Sequence, residues 1–100
     1  MTGEIINMPL HIFKPKLDFT SSALSIETQA GLTRYIVDHI EPGGYLRAVL
    51  ENDLMTAIQT ADSTHLKQLK SLCNWIFNHA PGNSWGDRCT VDDWIYGELL

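Results

Sequence analysis

The helical spacing of apolar residues between Ile26 and Ala80 is the feature that most constrains the fold. Apolar side chains recur three and four positions apart, and at about 100° per residue this spacing places them on one face of a helix. Turn signals separate the segments, so we predict four helices, at 26–40, 45–61, 63–80 and 91–99. Amphipathic helices with short connections favour an all-α antiparallel bundle of three to five helices.

The first predicted helix has a well-defined start and end. Ser25 is a suitable N-cap, and Pro42 disfavours helical geometry at the residue before it. The residues predicted to be buried share one arc of the helix: Ile26, Ala30, Leu32, Thr33, Ile36, Val37 and Ile40. Tyr35 falls on the opposite, polar arc, where it is either a contact residue for a partner or is covered by another segment of the chain.

The second predicted helix is either continuous or broken near Asn52 and Asp53. A continuous helix would align Leu46, Leu50, Leu54, Ala57, Ile58 and Ala61. A break is equally compatible with the sequence, because Asn and Asp side chains can cap a new helix by accepting hydrogen bonds from backbone N–H groups.

The third predicted helix carries the longest apolar stripe and begins at a cap on Asp62 or Ser63. Its predicted buried residues are Leu66, Leu69, Leu72, Cys73, Ile76, Phe77 and Ala80. Trp75 lies outside this stripe. We expect either the N-terminal arm or the loop before the last helix to cover it, and a contact with a partner is the alternative.

The two ends of the chain read differently from each other. Residues 1–25 are predicted to form an arm and connector with at most one short strand near 8–13, and residues 26–100 the helical domain. The last helix opens with Thr90-Val91-Asp92-Asp93, which resembles a capping box. Before it lies a Gly-rich loop whose tip carries Trp85.

The distribution of charge disfavours direct binding of nucleic acid. The formal net charge is −5; residues 1–50 carry four basic and five acidic side chains, and residues 51–100 carry three basic and seven acidic ones. Nonspecific binding to phosphate backbones requires a basic stripe. An acidic surface of this kind suits a basic protein partner instead.

Residues capable of chemistry are present but not in catalytic or metal-binding spacings. Cys73 and His79 are six residues apart, which matches no common zinc motif, and Cys73 is predicted to be buried. Cys89 has no accompanying oxyanion-hole motif, and the adjacent Asp92 and Asp93 diverge by about 100° on a helix. We therefore predict no catalytic residue, no metal and no cofactor.

The start of the chain lacks a signal peptide, and its apolar runs are far shorter than the ~20 residues of a membrane helix. Together these features predict a cytoplasmic protein, a monomer or small homo-oligomer, with reduced thiols and no contact with a membrane.

Two stretches resemble a group of short proteins encoded in bacteriophages and prophages. They are PGGYLRAVLENDLMTAIQTAD and WIFNHAPGNSWG, followed by a Trp in the last helix, and the resemblance covers about residues 30–95. Small acidic proteins of this kind often bind and disable a host protein. The resemblance therefore implies an inhibitor of a host defence complex, for example an anti-CRISPR protein that blocks DNA access to a type I effector complex in the cytoplasm of the infected bacterium.

Two other functions remain open from the sequence. One is a replication or transcription accessory factor that contacts DNA through Lys67 and Lys70, and the other is a small oligomeric assembly protein. For the inhibitor, we predict a partner-binding surface with acidic and aromatic components. Its predicted members are Tyr35, Glu51, Asp53, Trp85, Asp87, Asp92 and Asp93.

Overall fold

The computed structural model describes residues 17–20 and 22–97, and this part of the chain is all-helical, as predicted. Its helices are α1 (Ile26–Asp38), α2 (Gly44–Leu50), α3 (Leu54–Thr60), α4 (Ser63–His79) and α5 (Arg88–Tyr96). They form a small helical domain around one hydrophobic core. The strand predicted near 8–13 lies outside the described residues, as do most of the predicted arm and the last three residues.

Helices α1 and α4 begin at residues that the sequence identifies as caps. The Ser25 side chain accepts a hydrogen bond from the backbone N–H of Thr28, which confirms its role. At α4 the cap is Asp62, whose carboxylate accepts from the N–H of His65 at 2.8 Å. These side chains satisfy backbone donors that have no partner inside the helix.

The second predicted helix is broken into α2 and α3. Asn52 adopts a left-handed backbone conformation with φ of 65°, which a continuous α-helix does not allow. Asp53 then caps α3 by accepting from the backbone N–H of Thr56 at 3.2 Å. Of the two possibilities that the sequence left open, the structure has the break.

The last helix starts earlier than predicted, and its predicted capping box is wrong. Asp87 is the N-cap, and its carboxylate accepts from the backbone N–H of Thr90 at 2.8 Å. Thr90, Asp92 and Asp93 therefore lie inside α5. Asp87 and Thr90 are both suitable N-cap residues, because each has a side-chain oxygen that can accept a hydrogen bond from the backbone N–H three residues later. The local sequence alone therefore does not decide between them.

The core is made by residues from all five helices and from the segment that precedes α1. Its buried members are Leu24, Leu32, Tyr35, Ile36, Tyr45, Leu46, Ala48, Leu50, Ala57, Leu72, Trp75, Ile76, Val91 and Ile95. Helices α1 and α2 approach closely at Gly31, where an added Cβ would lie 3.3 Å from the Leu46 side chain. An alanine at this position would require the Leu46 side chain to shift by a few tenths of an ångström.

Of the two possibilities that the sequence left open for Tyr35, the structure has the one in which another segment of the chain covers it. Its side chain is fully buried, and its hydroxyl donates to the carbonyl oxygen of Ser84 at 2.6 Å. The indole N–H of Trp94 donates to the Tyr35 carbonyl oxygen at 2.9 Å. The loop before α5 and α5 itself thus cover this face of α1, while Ile26 and Ile40, predicted to be buried, are exposed.

The buried face of α4 is rotated by roughly 80° from the predicted stripe. Leu72, Trp75 and Ile76 are buried, whereas Leu66, Cys73 and Phe77 are exposed. The rotation follows from the segment before α1: Phe19 stacks on Trp75 with 4.7 Å between ring centroids. Of the two segments expected to cover Trp75, the structure has the one before α1. On α3, Leu54 and Ile58 are exposed; a continuous second helix would have aligned them with Leu46 and Leu50.

Candidate functional site: an acidic face organised by Arg47

Arg47 lies at the centre of the largest group of ion pairs that the described part of the chain contains. Its guanidinium contacts Glu51 one helical turn later on α2 at 2.6 Å and Glu41 in the loop before α2 at 3.1 Å. It also contacts the carboxylate of Asp92 on α5. One cation therefore joins three carboxylates from three parts of the chain.

The guanidinium is held in its charged state. Burial opposes the charge, because only 17% of the Arg47 side chain is exposed, but hydrogen bonds to Glu51 and Asp92 outweigh this effect and raise the pKa of Arg47 above its usual range. The planar guanidinium presents its donors in a fixed geometry. A permanently charged Arg47 therefore fixes the positions of the carboxylates around it.

The carboxylates at the edge of this group face solvent. The side chains of Glu41 and Asp92 are 55% and 44% exposed, and the hydroxyl of Tyr96 donates to Glu41 at 3.3 Å. Asp93 follows Asp92 on α5 and is exposed. We call Glu41, Glu51, Asp92 and Asp93 the acidic face; with Arg47 they carry a formal charge of −3.

Three of the predicted partner-binding acids belong to the acidic face, and two do not. Helices α2 and α5 bring Glu51 and Asp92 together at Arg47, and Asp93 adds an exposed charge at the next position of α5. Asp87 is exposed at the start of α5, where it caps the helix and stands next to the oppositely charged Arg88. Asp53 caps α3 and does not take part in the Arg47 group.

The predicted aromatic contact residues do not form an exposed pair. Tyr35 is a core residue, so it cannot contact a partner in the folded protein. Trp85 is half-buried and packs against the core, and its ring meets that of Phe77 edge-on at a centroid distance of 6.2 Å. Of the aromatic residues on α5, the exposed one is Tyr96, beside Glu41.

Sequence reasoning missed Glu41, Arg47 and Tyr96 as members of this surface. A partial signal exists, since Arg47 and Glu51 have the i, i+4 spacing of helical ion pairs. Nothing local indicates that Asp92, 45 residues later, completes the group. That contact depends on how α5 packs against α2.

The contacts around Arg47 are ion pairs between side chains. The three carboxylates share a guanidinium as their partner, and no cluster of three or more metal-ligating side chains occurs among residues 17–20 and 22–97. Cys73 and Cys89 are both exposed, so the predicted burial of Cys73 is wrong. The Cys73 thiol nevertheless lies in a shallow depression beside Leu54 and Leu69, and desolvation raises its pKa, which disfavours the nucleophilic thiolate.

Comparisons of the chain with protein-family models, with curated proteins and with solved structures find no match. In the part of the chain that the structure describes, no helix combines the length and the apolar character needed to cross a membrane.

Proposed function

We propose that the protein is a non-catalytic inhibitor that binds a basic, DNA-binding surface of a host protein complex through its acidic face. The target we propose is a type I CRISPR effector complex, whose access to DNA the bound protein would block. The proposal rests on one observation above all: Arg47 fixes carboxylates from α2, α5 and the connecting loop on one surface.

Fixed carboxylates support this function for an electrostatic reason. A surface that binds DNA presents Lys and Arg side chains to phosphate groups, and carboxylates held at set positions can meet the same cations. Because Arg47 already orders these side chains, binding would cost less conformational entropy than ordering free carboxylates. The resemblance of residues 30–95 to short phage proteins adds a biological context in which such an inhibitor is useful.

Single charge reversals test the acidic face directly. We expect Asp93→Lys to weaken binding to the purified effector complex by roughly three- to tenfold at low salt, and the effect to shrink as salt screens the charges. Glu27→Lys is the matched control, because Glu27 is also an exposed helical acid but lies on α1, outside the acidic face. Equal losses for both variants would mean that net charge matters and the acidic face does not.

An assay in cells tests the proposed target. Cells with an active type I system are challenged with a phage that the system recognises, with and without expression of the protein. We expect expression to restore phage growth and the tagged protein to recover effector subunits. Intact immunity without recovery of effector subunits would contradict the proposed target. Salt-dependent retardation of free DNA by the protein would instead favour the DNA-binding accessory factor, with Lys67 and Lys70 as its contacts.

A further inference from the structure

A second surface, on α3 and α4, exposes several large apolar side chains. We call it the α3–α4 patch and define it by Leu54, Met55, Ile58, Leu66, Cys73 and Phe77. Leu54, Met55 and Phe77 are 62%, 70% and 73% exposed. Ile58 and Leu66 are 43% and 47% exposed.

The members of the patch lie side by side. Leu66, Cys73 and Phe77 fall within about 40° of one another around the α4 axis, which makes a continuous apolar ridge. On α3, Leu54 and Ile58 are one helical turn apart. The two helices meet in a shallow depression whose lining includes Leu54, Leu69 and Cys73, so Cys73 lies near the middle of the patch.

The size of the patch matches one half of a small dimer interface. Together the exposed side chains present on the order of 500 Å² of apolar surface, near the upper end of the roughly 300–600 Å² of the largest patch on a typical monomer. Stable dimers begin at about 600 Å² buried by each partner, which the patch and its polar rim would supply.

We propose that the α3–α4 patch binds a second copy of this chain to form a two-fold symmetric dimer. In such an interface the same surface is used by both copies, and residues near the axis meet their own counterparts. The central position of Cys73 places it close to its counterpart in the other copy.

The charges around the patch are compatible with pairing to itself. Lys67 and Lys70 are exposed on α4, on the outer side of the apolar ridge, which faces away from α3, and Asp53 lines the depression between the two helices. A two-fold axis that runs along α4 lays the α3 side of each copy against the outer side of the other. This arrangement brings the lysines of one copy towards Asp53 of the other, and opposite charges across an interface favour that register.

Among the described residues, the segment before α1 does not cover the patch. Residues 17–19 reach the domain on the opposite side of α4, where Phe19 stacks on Trp75 and the Trp75 indole N–H donates to the Asp18 carbonyl oxygen at 2.9 Å. The acidic face lies on α2 and α5, so dimerisation through the patch leaves the proposed inhibitor surface free on both copies.

Sedimentation equilibrium over a wide range of protein concentration tests the dimer. We expect the full-length protein to approach twice the mass of one chain. We expect Phe77→Glu to raise the dimer dissociation constant at least about tenfold, since it buries a charge in the interface. Ile26→Glu is the matched control: Ile26 is 77% exposed on α1, outside the patch, and its variant should dimerise like the wild type. Circular dichroism establishes that both variants fold.

Oxidative cross-linking locates the interface. In a Cys89→Ser background, mild oxidation should join two chains through Cys73, and adding Phe77→Glu should lower the yield sharply. Three results would each overturn the proposal. The first is a wild-type protein that stays monomeric at every concentration, and the second is an equal loss of dimer in the Phe77→Glu and Ile26→Glu variants. The third is the absence of a Cys73 cross-link. Asp93→Lys, which tests the acidic face, should leave the dimer intact. The proposed inhibitor surface and the proposed dimer can therefore fail independently.

Discussion

At the scale of single residues, Arg47 has two roles, because the side chain that organises the acidic face also joins α2 to α5. We expect Arg47→Met to lower the free energy of unfolding by roughly 2–4 kcal/mol, since it leaves the carboxylate of Glu51 poorly solvated and without its cation. The Glu51 side chain is only 14% exposed. Urea denaturation of both proteins measures the difference.

The matched control is Arg34→Met, because Arg34 is exposed on α1. Its effect should stay within about 0.5 kcal/mol, as is usual for surface positions. If Arg47→Met were as mild as Arg34→Met, the ion pairs around Arg47 would not contribute to the stability of the fold.

Asp87 links the stability of α5 to pH. Hydrogen bonds from the backbone N–H and the hydroxyl of Thr90 hold the pKa of the Asp87 carboxyl below its usual value of 3.8. A carboxyl whose pKa is lower in the folded state than in the unfolded state stabilises the protein above the unfolded-state pKa, and this contribution is lost as pH falls through the folded-state pKa.

We therefore expect Asp87→Ala to be destabilising at neutral pH, with a difference from the wild type that shrinks as the pH falls below about 4. Thermal unfolding followed at several pH values measures this trend. Asp93→Ala is the comparison, because it removes an exposed carboxylate that caps no helix. A wild-type advantage over Asp87→Ala that stayed constant down to pH 2 would rule out the ionised cap as its source.

At the scale of secondary structure, the spacing of apolar residues predicts which segments are helical better than it predicts which face of each helix is buried. The helices at 26–38 and 63–79 and their caps at Ser25 and Asp62 follow from local spacing and side-chain chemistry. The orientation of α4 does not, because it depends on Phe19, which stacks on Trp75 from 56 positions away along the chain. The apolar residues of α4 span a wide arc, so the sequence is compatible with burial of more than one face. The contact between Phe19 and Trp75 determines which face is buried.

The cost of truncating Phe77, compared with that of Leu72 and Ile76, distinguishes the observed buried face of α4 from the predicted one. We expect Leu72→Ala and Ile76→Ala each to cost about 2–5 kcal/mol, because both side chains are almost fully buried and their truncation leaves a cavity. Phe77→Ala should cost less than about 1 kcal/mol, because most of its ring is exposed in the isolated chain. Chemical denaturation at concentrations below dimer formation gives these values. A larger loss for Phe77→Ala than for Leu72→Ala would restore the face predicted from the sequence.

The break between α2 and α3 is testable at Asn52. Its positive φ of 65° suits glycine and asparagine but disfavours a β-branched residue. We expect Asn52→Val to destabilise the domain by roughly 1–2 kcal/mol and Asn52→Gly to have little effect, as measured by thermal unfolding. Equal stability of the two variants would indicate that α2 and α3 form one continuous helix in solution.

At the scale of the whole molecule, the two exposed surfaces differ in how far the sequence could predict them. The acidic bias of residues 51–100 is visible in the composition, and it led to Glu51, Asp92 and Asp93 on the acidic face. Glu41 and Arg47 come from the first half of the chain and join only through packing. The α3–α4 patch was not predicted, because apolar residues at helical spacing indicate an apolar face of the helix but do not show whether that face is buried in the core or exposed.

The central claim is that the protein excludes DNA from a basic surface of its target, and competition for DNA tests it most directly. The affinity of a purified type I effector complex for its target DNA is measured by gel retardation with increasing amounts of the protein. We expect the apparent Kd for DNA to rise in proportion to the concentration of the protein, and Asp93→Lys to require more protein for the same effect. An unchanged Kd for DNA at the highest protein concentration, with no protein bound to the complex, would contradict the claim.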